Sequence, residues 1–327
     1  MNGSLFSLPF ANSVALRAFN GRFGSPYHVM VEVTTKCNIK CRTCFRSKQE
    51  WGISNSDMDL DLFHLLVDNL KYPTRYVNFV GMGEQLMNTQ IFDMMDLVKK
   101  KGFEISLTDN FTLVDEEITL KLLDSEIDYL YASFDSVSKE EFEKIRFGAN
   151  FDEVVRNIKH FVEAKNQAKA KRPRVFFKSV ISKKNVSEVP HLIKFAEDLG
   201  LDGIDFCKEH SYYQNHTNDT TFYLEKKNLP PTKIEVILNE MGRIYPCQAL
   251  PGCFVTFDGK VFPCDHMMQL LPRSSFPRFQ VGDIRFNSLA EIWRSEKYRR
   301  IRRDLTSRVW LPFCEKCPAF HESKEHI

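Results

Sequence analysis

Strand-like and helix-like segments alternate along the chain from residue 28 to about residue 207. Repeated strand–helix units imply a parallel sheet covered by helices, because parallel neighbours need a long crossover connection. The predicted strands are His28–Thr34, Tyr76–Val80, Phe103–Thr108, Tyr129–Phe134, Val175–Ile181 and Gly203–Cys207. The predicted helices are Met58–Leu70, Gln90–Lys101, Asp115–Leu123, Asp152–Ala164 and Val189–Leu199. Ligand-binding residues of such sheets collect at the carboxyl ends of the strands.

Three cysteines, Cys37, Cys41 and Cys44, lie in one short loop directly after the first predicted strand. Their C-x₃-C-x₂-C spacing supplies three thiolates, whereas a 4Fe–4S cluster has four iron corners. Three ligands leave one iron open to a small molecule, and open metal sites are the ones that do chemistry. A structural zinc site remains the alternative, although zinc sites favour C-x₂-C pairs and four ligands.

The bulk composition is that of an ordinary globular protein. The 327 residues are 43% apolar and 27% charged, and the formal net charge of +2 gives no reason to expect a nucleic-acid partner. Nine cysteines are an odd number, which argues against a secreted disulfide framework and for metal sites in a reducing, cytoplasmic compartment. No apolar stretch is long enough to span a membrane, so no membrane partner is expected. Residues 1–27 contain no acidic residue and predict an amphipathic segment, with a transit peptide as the alternative.

Five of the nine cysteines lie beyond residue 245, in a stretch of different composition. Residues 253–264 predict a β-hairpin, because the Asp-Gly pair at its centre permits the positive φ angles of a tight turn. A strand over residues 234–238 and a helix over residues 288–303 are also expected, with the basic run 297–303 on a solvated helix face. Four of these cysteines could ligate one metal centre: Cys247, Cys264, Cys314 and Cys317. Cys253 is the alternative to Cys247, and structural zinc is the alternative to an iron–sulfur cluster.

The loop of Cys37, Cys41 and Cys44, with its lead-in Glu-Val-Thr-Thr, resembles the cluster-binding loop of the radical S-adenosylmethionine (SAM) enzymes. The resemblance implies an α/β fold with a partial (β/α)₆ TIM-like barrel. It implies a 4Fe–4S cluster with three Cys ligands, whose open iron is chelated by SAM. Reductive cleavage of SAM to a 5′-deoxyadenosyl radical would follow, with an electron from an external reductant such as flavodoxin or ferredoxin.

The C-terminal cysteines resemble the SPASM or shortened twitch module of the same enzymes. This implies one auxiliary 4Fe–4S cluster with four Cys ligands, placed to relay an electron from a substrate radical. The expected domains are an N-terminal segment 1–27, a partial barrel 28–211, a connector 212–245 and the auxiliary-cluster module 246–327.

The resemblance also extends to the predicted SAM pocket. A Gly-Met-Gly-Glu run resembles the family's glycine-rich segment, so Gly83 and Glu84 are candidates to approach the SAM methionine. Asn110, Ser133 and Asp135 end the third and fourth predicted strands and are candidates to bind the ribose. Each of these short polar residues also suits a helix cap or an Asx turn.

Oxidation of a small polyol, sugar or aminocyclitol is the expected function. A redox-neutral epimerisation would need a hydrogen donor instead, and Cys207 at the end of the sixth predicted strand is a candidate, although it also suits a small buried strand residue. Peptide maturation is a second alternative, disfavoured because the barrel is expected to start near residue 28 without a leader-binding domain in front. A non-catalytic zinc module is the third alternative.

Overall fold

The computed structural model describes residues 24–47, 52–182, 185–208, 224–238, 247 and 249–316. These residues form two compact units. Unit A comprises the described residues of 38–47 and 107–245, and unit B those of 8–37, 48–106 and 246–327. Residues 1–23 of the amphipathic segment predicted at the N-terminus lie outside the described residues.

The strands are β1 His28–Val31, β2 Tyr76–Phe79, β3 Glu104–Asp109, β4 Tyr129–Ser133, β5 Arg174–Ile181, β6 Gly203–Lys208, β7 Glu235–Leu238, β8 Gly252–Val255, β9 Lys260–Phe262 and β10 Gly282–Asp283. The helices are α1 Leu60–Asp68, α2 Ile91–Lys100, α3 Glu116–Asp124, α4 Lys139–Ile145, α5 Phe151–Gln167, α6 Val189–Asp198, α7 Met267–Leu270, α8 Leu289–Arg294 and α9 Glu296–Thr306. All six strands and five helices expected between residues 28 and 207 are present, with their ends shifted by a few residues. Helix α4 was not predicted, because seven residues are too few to establish a helical period.

Unit A contains the parallel strands β4, β5, β6 and β7, hydrogen-bonded in that order. One face of this sheet is covered by helices and is strongly aromatic. Phe134 stacks on Phe177 with ring centroids 4.5 Å apart, and Phe142 of α4, Phe151 of α5 and Phe195 of α6 pack around the Phe134 ring. Successive side chains of a strand point to opposite faces of the sheet. The strand residues next to these aromatic residues in sequence therefore point to the opposite face.

Unit B contains the strands β10, β9, β8, β1 and β2, hydrogen-bonded in that order. Strands β8 and β9 form the predicted hairpin, and Gly259 in its turn has a φ of +80°. Strand β1 pairs in parallel with both β2 and β8, so that Val29 faces Val77 on one side and Cys253 on the other. The predicted fold class, a parallel α/β fold with a C-terminal hairpin module, is confirmed.

The prediction of a single helix over residues 288–303 is wrong, since two helices, α8 and α9, cover this stretch. Helix α8 ends at Ser295, whose side chain accepts a hydrogen bond from the Tyr298 backbone N–H at 3.3 Å and so caps α9. The expectation of a wholly solvated basic face is also wrong, since Arg302 of α9 is buried. Its guanidinium carbon lies 3.8 Å from the centroid of the Trp293 ring and 4.7 Å from that of Tyr298.

Candidate functional site

The loop that carries the first three cysteines follows β1 directly. Cys37, Cys41 and Cys44 are all partly exposed, whereas Ile39 and Phe45 between and beside them are buried. The Cys44 backbone N–H donates to the Cys41 carbonyl at 3.1 Å. Buried apolar residues thus anchor the loop while its thiols stay accessible, which suits a cluster that must also bind a small molecule.

The end of helix α4 holds this loop in place within unit A. The Lys40 N–H donates to the Phe147 carbonyl at 2.8 Å, and the Arg42 N–H donates to the Ile145 carbonyl at 2.7 Å. Sequence reasoning missed this support because it missed α4.

In unit B, the glycine-rich segment packs against the residues that precede Cys37. A Cβ atom on Gly83 would lie 2.6 Å from the Lys36 carbonyl oxygen and closer still to that of Thr34, so only glycine fits. The Glu84 N–H donates to the Lys36 carbonyl at 2.7 Å. The Glu84 carboxylate is buried and accepts from the Leu86 N–H at 3.4 Å. Gly83 therefore lies close to the protein's own backbone at Thr34 and Lys36. The SAM-binding roles of Gly83 and Glu84 stay predictions.

Glu32 links the same region to the C-terminal module, and sequence reasoning did not single it out. Its fully buried carboxylate accepts a hydrogen bond from the Met82 N–H at 3.2 Å and forms an ion pair with Arg273. Burial raises the pKa of the Glu32 carboxyl, while the Arg273 guanidinium opposes that shift. Glu32 thus joins β1, the glycine-rich segment and a residue 241 positions away.

Asn110 joins the end of β3 to the cysteine loop. Its Nδ2 donates to Asn38 Oδ1 at 3.1 Å, and its Oδ1 accepts from the backbone N–H and the hydroxyl of Thr112 at 2.9 and 2.6 Å. These contacts give the buried Asn110 amide a role in holding the loop. Its predicted contact with ribose stays a prediction.

The carboxylate and the backbone carbonyl of Asp135 are bonded to other residues of unit A. One carboxylate oxygen accepts from the Val180 N–H at 2.8 Å, and the other lies 2.8 Å from the Arg146 guanidinium. The Asp135 carbonyl accepts from Asn185 Nδ2 at 3.1 Å. Ser133, by contrast, is half-buried on the face of the sheet opposite the aromatic one. Ser133 is thus better placed than Asp135 to contact a ligand, and both roles stay predictions.

A polar group lies on that opposite face of unit A, in the middle of β5 and β6. The Lys178 ammonium forms an ion pair with the buried Asp205 carboxylate at 2.8 Å and lies 5.4 Å from the centroid of the Tyr131 ring. Burial lowers the pKa of Lys178, but Asp205 and Cys207 together raise it well above its usual value. Lys178 is therefore a fixed cation with the Cys207 thiol nearby. No strong sequence motif marks this lysine, which is why the sequence did not reveal it.

Three of the C-terminal cysteines, Cys247, Cys253 and Cys314, have thiols whose pKa is raised chiefly by burial. Burial raises the pKa of the Cys247 thiol to about 11, and burial together with nearby Cys247 raises that of Cys314 to about 12. Cys253, in β8, is fully buried, and Arg302 opposes the rise in its pKa that burial causes. Metal coordination deprotonates such thiols outright, so the Cys247–Cys314 proximity fits a metal centre.

Cys264 of this set is buried, and its thiol lies 3.7 Å from Asp265 Oδ1. Cys317 lies outside the described residues. Within the described ranges, no group of three or more His, Cys, Asp or Glu side chains is arranged to hold one metal ion. An iron–sulfur cluster does not require its ligands to converge on one metal atom, because each thiolate binds a different iron atom. None of the helices described is both long and apolar enough to cross a bilayer.

Comparison with known proteins identifies the family. A sequence model of the radical SAM superfamily matches residues 31–196, which is just over half of the chain. The chain belongs to the radical SAM superfamily. A model described as an iron–sulfur cluster-binding domain, named SPASM, matches residues 247–318. The predicted resemblance and the predicted cofactors are confirmed: a SAM-binding 4Fe–4S cluster, SAM and auxiliary iron–sulfur.

Curated relatives of this radical SAM protein include one that aligns along nearly its whole length. The tungsten-containing aldehyde ferredoxin oxidoreductase cofactor-modifying protein of Pyrococcus furiosus is 26% identical over 312 residues, covering 89% of this chain and 86% of the relative. A probable GTP 3′,8-cyclase of Methanococcus maripaludis is 28% identical over 137 residues, covering 41% of this chain and 44% of the cyclase. The chain thus spans less than half of that cyclase.

Solved structures share the fold of this radical SAM protein. Streptococcus suis SuiB bound to S-adenosylmethionine superposes with a TM-score of 0.67 at 14% identity, covering 88% of this chain and 70% of SuiB. The structure of anSMEcpe with bound AdoMet superposes with a TM-score of 0.62 at 19% identity, covering 89% of this chain and 83% of anSMEcpe. At these identities the likeness concerns the fold alone.

Proposed function

We propose that this radical SAM enzyme abstracts hydrogen from a small, hydroxyl-rich molecule at the polar face of unit A. Cys37, Cys41 and Cys44 would hold the SAM-binding cluster, which supplies a 5′-deoxyadenosyl radical when an external reductant such as flavodoxin or ferredoxin delivers one electron. The barrel region 28–211 would contain this chemistry, and the module 246–327 would hold the auxiliary cluster.

The observation that carries the substrate class is the Lys178–Asp205 ion pair. The two groups together have no net charge, and they offer hydrogen-bond donors and acceptors side by side at 2.8 Å. A neutral polyol, sugar or aminocyclitol presents hydroxyls that both donate and accept, so it can bind both groups without leaving a buried charge unpaired. Ser133 and Cys207, both half-buried, lie on the same face.

A cofactor or its precursor is a narrower candidate within the small-molecule class. The relative from Pyrococcus furiosus carries the name of a cofactor-modifying protein, and it aligns over 89% of this chain. This alignment supports a small-molecule substrate over a peptide. Sugar-like parts of cofactors carry the hydroxyl groups that the Lys178–Asp205 pair would bind.

The auxiliary cluster would decide the outcome of the reaction. We assign its ligands as Cys247, Cys264, Cys314 and Cys317, of which Cys247 and Cys314 lie close together. The substrate would lose one hydrogen atom to the adenosyl radical, then one electron to the auxiliary cluster and one proton to solvent. The product would be oxidised by two electrons. Return of a hydrogen atom from Cys207 would instead give a redox-neutral epimerisation, after which one electron from the external reductant and one proton from solvent would restore the Cys207 thiol.

Deuterium transfer tests this proposal. The anaerobically reconstituted enzyme is incubated with SAM, a strong reductant and perdeuterated candidates: a polyol, a sugar, an aminocyclitol and a peptide. Deuterium in 5′-deoxyadenosine from one of the small molecules supports the proposal, and deuterium from the peptide alone contradicts it. Solvent hydrogen at the reacting carbon of the product separates epimerisation from oxidation, because only epimerisation replaces the abstracted deuterium with a hydrogen from solvent-exchanged Cys207.

A further inference from the structure

Two backbone hydrogen bonds bring Arg146 opposite Cys41. The donors are the N–H groups of Lys40 and Arg42, one residue before and after Cys41. The acceptors are the carbonyls of Phe147 and Ile145, one residue after and before Arg146. Because the two short segments run in opposite directions, residues 41 and 146 face each other between the two bonds.

A second contact confirms that these segments lie side by side. The backbone of Gly148 packs on Ile39, where a Cβ atom on residue 148 would lie 3.5 Å from the Ile39 Cα. Residues 145–148 therefore run along the whole middle of the cysteine loop, from residue 39 to residue 42. The position of Arg146 is determined by the backbone on both sides of it.

The Arg146 side chain is a buried cation. Only 8% of the residue is exposed, and its guanidinium forms an ion pair with Asp135 at 2.8 Å. Its Nε has no hydrogen-bond partner among the described residues. Burial lowers the pKa of this guanidinium, but Asp135, Cys41 and Cys44 together raise it above its usual value. The cation therefore lies within electrostatic reach of two of the three cluster cysteines.

A buried guanidinium with an unused donor is stabilised by a further hydrogen-bond acceptor or a nearby negative charge, because burying an unpaired donor is costly. Asp135 supplies one negative charge, but that carboxylate also accepts from the Val180 N–H. The thiolates of Cys41 and Cys44 would supply further negative charge once they bind iron. The proposed hydrogen abstraction makes no other use of Arg146.

We propose that Arg146 is a positioning residue that places a fixed positive charge beside the Cys41 and Cys44 thiolates and raises the reduction potential of the SAM-binding cluster. The inference rests on the proposed cluster ligands. Reduction adds one negative charge to the cluster, so a nearby cation stabilises the reduced form. Net charge and hydrogen bonds to sulfur are among the factors that set such potentials. Asp135 holds the guanidinium in this position.

The test compares three full-length variants. R146Q removes the charge and keeps a polar side chain of related shape, R146K keeps the charge, and R303Q removes an exposed arginine of the C-terminal module as a control. Each is reconstituted anaerobically, and the potential of the cluster whose electron paramagnetic resonance signal changes on adding SAM is measured by redox titration without substrate. We expect R146Q to lower the equilibrium constant for reduction at least about tenfold, which is 59 mV for one electron. The reduction potentials of R146K and R303Q should differ from the wild-type potential by less than a third of that shift.

An unchanged potential in R146Q with full iron and sulfide content overturns the proposal, since a merely structural role for Arg146 predicts that result. If R146Q does not retain its cluster, R146M, which removes the charge and keeps a long side chain, replaces it in the comparison. R146M should lower the potential as R146Q is expected to, and an unchanged or higher potential overturns the proposal. Failure of the underlying function is distinguishable, because the wild-type protein would then lack a SAM-responsive cluster.

Discussion

At the residue scale, the most consequential side chains are four charged groups, of which Asp205, Asp135 and Arg146 are buried and Lys178 is half-buried. Lys178, Asp205, Arg146 and Asp135 are all paired within unit A. None of them belongs to the cysteine motif or the glycine-rich segment. Lys178 and Asp205 pair between neighbouring strands, and Asp135 and Arg146 pair between the segments that follow β4 and α4. A local sequence pattern does not encode such contacts.

Replacement of Lys178 should separate SAM cleavage from substrate oxidation. K178Q removes the cation that would hold a substrate hydroxyl, and hydrogen bonds to charged groups contribute roughly 1.5–3 kcal/mol. We expect product formation to fall about 10- to 100-fold while SAM cleavage without product continues. The measurement is the ratio of product to 5′-deoxyadenosine.

K194Q is the matched control for that substitution. Lys194 is also paired with an aspartate, Asp198 at 2.5 Å, but its side chain is 68% exposed on helix α6. K194Q should keep the wild-type ratio of product to 5′-deoxyadenosine. Equal ratios for K178Q, K194Q and the wild type would exclude Lys178 from substrate binding.

Loss of Arg273 should destabilise the protein far more than loss of a surface arginine. R273M leaves the fully buried Glu32 carboxylate without its ion-pair partner, and breaking a buried pair typically costs about 3–5 kcal/mol. R285M breaks a pair whose arginine is 46% exposed and should cost at most about 1 kcal/mol. Chemical denaturation of both variants measures the free energies of unfolding. Similar losses in the two variants would contradict a structural role for the Glu32–Arg273 pair.

At the element scale, the periodic strands and long helices could be predicted, and the short or non-local elements could not. Strands β2, β4 and β6 are short runs rich in aliphatic and aromatic residues, and each begins at its predicted first residue. The pairing of β8 with β1 joins residue 28 to residue 252, and no turn chemistry or local period encodes it. The break between α8 and α9 depends on the Ser295 cap, which periodicity alone overlooked.

The glycine-rich segment should tolerate no side chain at residue 83. In G83A, the new Cβ would lie 2.6 Å from the Lys36 carbonyl oxygen, and overpacking of this kind typically costs about 1–3 kcal/mol. Because Lys36 precedes Cys37, we expect SAM cleavage to fall about tenfold with lower iron retention. The control is G24A, since nothing lies within 4 Å of the Cβ position on Gly24. Wild-type iron content and SAM cleavage in G83A would contradict this close packing.

At the scale of the whole molecule, the chain combines a radical SAM region with a SPASM iron–sulfur cluster-binding domain. The three cysteines after β1 and the glycine-rich segment could be predicted because they are local motifs. The choice between Cys247 and Cys253 could not be settled from spacing alone. Cys253 lies in strand β8, where Arg302 opposes the rise in its pKa, and Cys247 contributes to the raised pKa of Cys314, so the choice of Cys247 stays a prediction.

Single replacements should separate these two cysteines. C247A should lose the auxiliary iron, about four iron atoms per chain for a 4Fe–4S cluster, and lose coupled product formation while SAM cleavage persists. C253A removes a buried thiol that we assign no ligand role, so its iron content should match the wild type. Iron analysis and the product ratio measure both effects. Loss of iron in C253A with full retention in C247A would reverse the assignment.

The most direct test of the account is SAM cleavage by the wild-type protein and the C37A/C41A/C44A variant. Both are purified without oxygen, analysed for iron and sulfide, and incubated with SAM and a strong reductant. We predict iron, sulfide and 5′-deoxyadenosine from the wild type, and no 5′-deoxyadenosine from the variant. Stoichiometric zinc without sulfide in the wild type, or undiminished SAM cleavage by the variant, would contradict the account.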